Sequence, residues 1–179
     1  MIGVLVSGEG TNLQALIDDG LPVVAVASNR AGARALGRAE AAGIPARVFE
    51  LDEYASREER DGAMADWFVE QGVQLVVCAG YMHLLRATFL DRFRGRIVNT
   101  HPAPLPEFPG AHPLEDVLAA GAKETAATVH YVDEGVDTGA VITFEPVPVL
   151  DDDTVESLRD RVQAVEHQLL PRTVRELIS

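Results

Sequence analysis

Short apolar runs and helix-period segments alternate along the first hundred residues. Residues 2–7 form an apolar run stopped by Gly8, with the length of a buried strand. Residues 10–19 carry Leu13, Leu16 and Ile17 at spacings that share one helical face. Residues 23–28 read as a second strand, 31–42 as a helix closed by Gly43, and 46–50 as a third, short strand. The spacing predicts a helix over 56–71. Ser56 suits its N-cap, Glu59 completes a capping box, and Met64, Trp67 and Phe68 face inward. Residues 75–79 and 96–100 are further strands. Strands alternating with helices imply an α/β, Rossmann-like fold: a mostly parallel central sheet with helices on both faces.

The pattern changes after residue 101. Pro102, Pro104, Pro106, Pro109 and Pro113 make a rigid loop, since proline lacks a ladder donor and fixes its own φ. A helix is predicted over 114–120. Strands are predicted over 125–132 and 140–147, and a connection as short as 133–139 makes them an antiparallel C-terminal pair. A long C-terminal helix spans 154–177, with an apolar stripe of Val155, Leu158, Val162, Val165 and Leu169 and a bend expected at Pro171. No repeat or linker interrupts the chain, so residues 1–179 are expected to form a single domain.

Charged residues are 24% and hydrophobic ones 47% of the chain, a globular composition. The net charge of −13 argues against a nucleic-acid partner, because such binding neutralises phosphates with Lys and Arg. Cys78 is the only cysteine, which excludes an internal disulfide. Its apolar run suits a buried, inert thiol. No basic-apolar leader opens the chain, and no apolar run approaches the ~20 residues of a membrane span. A cytoplasmic protein without a membrane partner is expected. No metal is expected either, because no His-Glu-x-x-His or similar ligand spacing occurs.

Three places could carry chemistry. Ser7-Gly8-Glu9-Gly10-Thr11-Asn12-Leu13 joins the first strand to the first helix. The third glycine of a dinucleotide fingerprint is missing, as is the lysine of a P-loop. What remains is a cradle for one phosphate on Gly10, Thr11 and Asn12, or an ordinary turn with Asn12 capping the helix. Asn99 and His101 end a strand at positions i and i+2, so they point the same way, at the edge where parallel sheets place their sites. They could polarise a carbonyl, or His101 could anchor the proline loop by a backbone hydrogen bond. Asp137 lies in the turn between the last two strands. There a carboxylate could set the protonation of His101 or be one more acidic turn residue. An aspartic-protease reading of Asp137-Thr138-Gly139 fails, because that chemistry needs two such triplets in an all-β protein. His130 alternates into a strand and is expected to be buried with a partner. His112 lies in the proline loop, and His167 on the last helix is expected to be structural. Gln163 and Glu166, one helical turn apart, border the apolar stripe.

Taken in order, these segments resemble the phosphoribosylglycinamide formyltransferase family of folate-dependent formyltransferases. The resemblance covers essentially the whole chain. It runs through residues 7–14, Ala79-Gly80-Tyr81-Met82-His83-Leu84-Leu85, Asn99-Thr100-His101-Pro102, Phe108-Pro109-Gly110, Thr128-Val129-His130 and Asp137-Thr138-Gly139. It implies transfer of the formyl group of 10-formyltetrahydrofolate, a co-substrate, to the amine of 5'-phosphoribosylglycinamide. It further implies His101 as general acid and oxyanion partner, Asn99 on the formyl oxygen, and Asp137 tuning His101 and assisting proton transfer. Gly10, Thr11 and Asn12 would hold the substrate phosphate, with Gln163 and Glu166 reaching it from the last helix. Arg57, Met82, His83, Leu84, Leu85 and Asn99 would meet the folate. The chain departs from the family at His83, where arginine is usual, and at Glu107, where lysine or a small residue is commoner. A protonated His83 is expected to attract the folate tail in acid and to release it as pH rises. A monomer or homodimer is implied. The alternatives are a 10-formyltetrahydrofolate hydrolase, with water replacing the amine, or a non-catalytic folate- or nucleotide-binding module of the same fold.

Overall fold

The computed structural model describes residues 1–179. A strand covered on both faces has no polar side to show, and β1 (Ile2–Val6) is buried at all five positions. It pairs in parallel with β2 (Val23–Ser28) and with β4 (Leu75–Cys78), and β2 pairs in parallel with β3 (Ala46–Val48). The intervening helices are α1 (Thr11–Asp18), α2 (Arg34–Ala41) and α3 (Arg57–Glu70), followed by the short α4 (Ala87–Leu90). Gly10 makes the turn into α1 with φ 74°, and a Cβ there would lie 2.5 Å from the Cβ of Ala35. Only glycine permits that approach. The Ser56 hydroxyl caps α3 by accepting the Glu59 N–H at 3.1 Å, while the Glu59 carboxylate accepts the N–H of Ala55 at 3.2 Å. The reciprocal half of the expected capping box therefore lands one residue early. Phe68 meets Phe89 and Phe93 edge-on, joining α3 to the short helix. Cys78 is buried, and burial pushes its thiol up to about 12, as suits an inert core residue.

The second stretch contains β5 (Ile97–His101), α5 (Pro113–Ala119), β6 (Glu124–Tyr131), β7 (Val141–Pro148) and α6 (Val155–Ile178). β6 and β7 are antiparallel, with a register shift between Val129 and His130. A shift of this kind re-aims side chains and is common beside functional sites. Thr154 and Ser157 cap α6 reciprocally. Leu158, Val162 and Leu169 are buried along α6 as their spacing requires, but Val155 and Val165 are only half-buried. Glu166 is buried instead, at 6% exposure. The helix continues through Pro171, whose ring is buried within the one element. A 3₁₀ turn at Leu51–Glu53 and the short α4 carry too little periodicity to be read from the sequence.

All seven strands belong to one sheet, in the order β3-β2-β1-β4-β5-β6-β7. The chain divides into two units, Met1–Val98 with Ile178, and Asn99–Leu177 with Ser179. No helix is long and apolar enough to cross a membrane.

Candidate functional site

Within the second unit, β5 delivers Asn99 and His101 to one side and Thr100 to the other, as strand alternation requires. His101 is 4% exposed. Its Nε2 lies 2.6 Å from the Phe108 carbonyl oxygen, an acceptor only, so Nε2 carries a hydrogen and donates it. Its Nδ1 lies 3.5 Å from Oδ2 of Asp137. The loop-anchoring bond and the Asp137 contact are both present.

Asp137 is the only non-glycine residue with positive φ, at 53°. Its turn is tightly built. The Asp133 carboxylate accepts from the Gly135 N–H at 3.0 Å and the Thr138 hydroxyl at 2.5 Å. A Cβ on Gly139 would stand 1.7 Å from the Tyr131 carbonyl oxygen. The left-handed backbone at Asp137 aims its carboxylate between two imidazoles. Oδ2 accepts the Gly110 N–H at 2.9 Å, and Oδ1 lies 3.4 Å from Nε2 of His130. Burial pushes this carboxyl up. The neighbouring His130 ring, the Gly110 N–H and the His101 ring outweigh burial and hold it below its ordinary value.

His130 is 2% exposed and has the partners its strand position suggested. Its Nδ1 lies 2.8 Å from the Tyr131 carbonyl, so the hydrogen sits on Nδ1. In the neutral ring Nε2 is then an acceptor, and the Asn99 amide nitrogen lies 3.2 Å away. One amide hydrogen of Asn99 goes to His130 and the second is left for another acceptor. Sequence reasoning did not find this orienting role. Its only signal is the place of His130 in a strand beside the turn that bears Asp137.

α6 places Gln163 half-buried and Glu166 buried in the same unit. Thr100 donates its hydroxyl hydrogen to Glu166 Oε1 at 3.2 Å, so Glu166 is no solvated face residue.

In the first unit, Gly10 is the N-cap of α1 and no side chain caps that helix, which corrects Asn12 as the capping residue. Thr11 and Asn12 occupy its first turn, half-buried. Ser7 donates to Asn29 Oδ1 at 2.6 Å and accepts the Met82 N–H at 2.9 Å, tying the first turn to the segment after β4. In that segment Met82 is 73% and Leu84 46% exposed, whereas Leu85 is buried. Arg57 lies half-buried at the start of α3. His83 does not stand as a free ionisable charge. Its Nδ1 lies 2.6 Å from Nη1 of Arg60. Burial, then Arg60 and Arg57, lower its pKa against a smaller opposing effect of Asp61. Burial and the neighbouring guanidinium both disfavour the proton on which the expected acid-side attraction depends. Glu107 is exposed.

The structure thus brings Asn99, His101 and Asp137 together, with His130 as a fourth member. Gly10, Thr11 and Asn12 belong to one unit and Gln163 and Glu166 to the other. No group of three or more His, Cys, Asp and Glu side chains is placed to hold a metal ion.

Comparison with known proteins bears on this arrangement. A family model described as formyl transferase matches residues 1–174. The chain is 44% identical to a phosphoribosylglycinamide formyltransferase of Mycobacterium tuberculosis, over 97% of this chain and 83% of that one. It is 45% identical to the trifunctional purine biosynthetic protein adenosine-3 of Drosophila melanogaster, where the match covers 99% of this chain and spans 14% of the relative. Among solved structures, phosphoribosylglycinamide formyltransferase of Streptococcus pneumoniae superposes with a TM-score of 0.96 at 42% identity, covering 99% of this chain and 98% of that one.

Proposed function

The chain belongs to the formyl transferase family, and we propose that it moves the formyl group of 10-formyltetrahydrofolate to the amine of 5'-phosphoribosylglycinamide, a step of purine biosynthesis, with residues 1–179 working as a single formyltransferase domain in the cytoplasm. The observation that carries this reading is the Asp137 carboxylate set between His101 and His130, beside an Asn99 amide that His130 orients.

The chemistry follows from the donors. The amine attacks the formyl carbon, a C–N bond forms, and the formyl oxygen gains negative charge. Asn99 offers that oxygen its second amide hydrogen. His101 exchanges its Phe108 carbonyl for the developing oxyanion, a better acceptor for a charge-assisted hydrogen bond. Asp137, ionised at neutral pH, orients the His101 ring and takes the proton released by the amine, directly or through water. The bond to N10 of the folate then breaks, and the proton taken by Asp137 passes through His101 to that nitrogen: Nδ1 receives it and Nε2 gives one up. Gly10, Thr11 and Asn12 are proposed to hold the phosphate, with Gln163 and Glu166 also serving the phosphorylated amine. Arg57, Met82, His83, Leu84, Leu85 and Asn99 are proposed to serve the folate.

The test is consumption of the formyl folate with and without the phosphorylated amine, in wild type and in a Thr11→Ala/Asn12→Ala variant. Amine-dependent consumption is expected, with the variant raising KM for the amine and leaving the folate KM nearly unchanged. Consumption without amine identifies a hydrolase, and no consumption under either condition a binding module.

A further inference from the structure

A buried cation sits behind the segment that carries Met82 and Leu84. Arg60 and Asp61, adjacent on α3, both have side-chain exposure of 0%. Asp61 Oδ1 accepts from Arg60 Nε at 2.9 Å and Nη2 at 2.7 Å. Asp61 Oδ2 accepts the backbone N–H of Arg86 at 2.7 Å. Arg60 Nη1 reaches the other way, to His83 Nδ1 at 2.6 Å. Residues 60 and 61 therefore fasten the 83–86 stretch to α3 at two points.

This geometry decides the state of His83. A guanidinium has donors only and keeps its proton, so the Nδ1 lone pair must be the acceptor. The hydrogen of the neutral ring is then on Nε2. A second proton on Nδ1 would face the Arg60 cation at hydrogen-bond distance. The other groups around the ring are Arg57 and Asp61 on α3 and the Tyr81 ring, edge-on with centroids 6.0 Å apart. The Arg86 side chain pairs elsewhere, 3.7 Å from Glu58.

We propose that Arg60 is the positioning residue of this segment: it holds His83 as a neutral Nε2–H donor and supplies, from the buried side, the positive charge that draws a carboxylate of the ligand to that donor. The identification of the ligand as a folate, with its carboxylate tail, rests on the function proposed above. A guanidinium on Nδ1 polarises the ring, so the Nε2–H bond gains part of the strength of a charge-assisted one without the ring being charged. The depressed pKa of His83, set by burial, Arg60 and Arg57, agrees with this. The contact should then hold steady between about pH 6 and pH 8, where an isolated histidine with a pKa of ~6.5 would lose most of its charge.

The experiment is ¹⁵N–¹H NMR of the His83 ring in the full chain, assigned with His83→Gln. In wild type, Nε2 is expected to carry the hydrogen and Nδ1 to be the acceptor, with a titration midpoint below the ~6.5 of free histidine. The opposite tautomer in wild type overturns the proposal and needs no variant. The double variant Arg60→Met/Asp61→Asn removes both buried charges together, so neither is left unpaired. There the midpoint should move up toward the free value, and the folate KM should rise several-fold, more than kcat changes, and become pH-dependent. An unchanged midpoint in the variant, or a wild-type folate KM that climbs several-fold from about pH 6 to pH 8, refutes it. If the folate is not turned over at all, the proposed function fails, while the ring tautomer and midpoint still decide the Arg60–His83 coupling.

Discussion

Asp137 is where backbone strain and chemistry coincide. A left-handed aspartate costs free energy unless its surroundings impose it, and here the Asp133, Gly135, Thr138 and Gly139 turn does so. Its carboxyl is held below its ordinary value, so it contributes stability above the unfolded pKa of ~3.9 and loses that contribution as pH falls through the folded value. Thermal unfolding followed from about pH 7 down to about pH 3 should show a steeper acid decline in wild type than in Asp137→Asn, and parallel curves would contradict this. His101→Ala and Asn99→Ala should each lower kcat by at least ~10²-fold, the scale for a lost general acid or oxyanion donor, with native circular dichroism retained. Turnover within a few-fold of wild type would remove them from the mechanism. Asn99, His101 and Asp137 were legible because strand-end spacing and turn position are local properties. The orienting role of His130 was not, because it depends on which ring nitrogen meets Tyr131 and which meets Asn99. Arg60 was hidden more deeply. It lies in the run Arg57-Glu58-Glu59-Arg60-Asp61, where nothing in the sequence sets it apart from its charged neighbours, and only its tertiary partners show it buried.

At the scale of elements, the alternation of apolar runs and helical periods located all seven strands and the main helices, since buried parallel strands and amphipathic helices write their burial into the sequence. The departures have physical causes. The Leu51–Glu53 turn and α4 are shorter than the period that would reveal them. Glu166 took a buried place on α6 where Val165 was expected, because Thr100 supplies it a donor. The β6–β7 turn is the element on which the site depends most. Its closure leaves no room for a side chain at Gly139, and the Tyr131 N–H donates to the Ala140 carbonyl at 2.9 Å beside it. Gly139→Ala must therefore push β6 and β7 apart. A loss of about 1–3 kcal/mol is expected, seen as a Tm lower by several degrees, together with a fall in kcat as Asp137 is displaced. An alanine variant with unchanged Tm and kcat would show that the turn has more freedom than this packing allows.

For the whole molecule, the net charge of −13 opposes the approach of the two anionic substrates proposed. Local donors such as Arg57 must work against that field. Screening shortens its reach from ~30 Å at 0.01 M salt to ~10 Å at 0.1 M. kcat/KM for the phosphorylated amine should therefore rise, or at least hold, over that range. A steep fall would mean that attraction by a local basic surface dominates the encounter. The removal of the amine proton and the placing of His101 both depend on one carboxylate, so Asp137→Asn isolates the chemistry best. Asparagine tolerates the left-handed backbone and keeps the size of the side chain while removing the charge between His101 and His130. The most direct measurement is steady-state formyl transfer by Asp137→Asn and wild type with both substrates varied. A kcat lower by at least ~10²-fold with both KM values within a few-fold is expected, and a kcat within a few-fold of wild type would contradict the central role of Asp137.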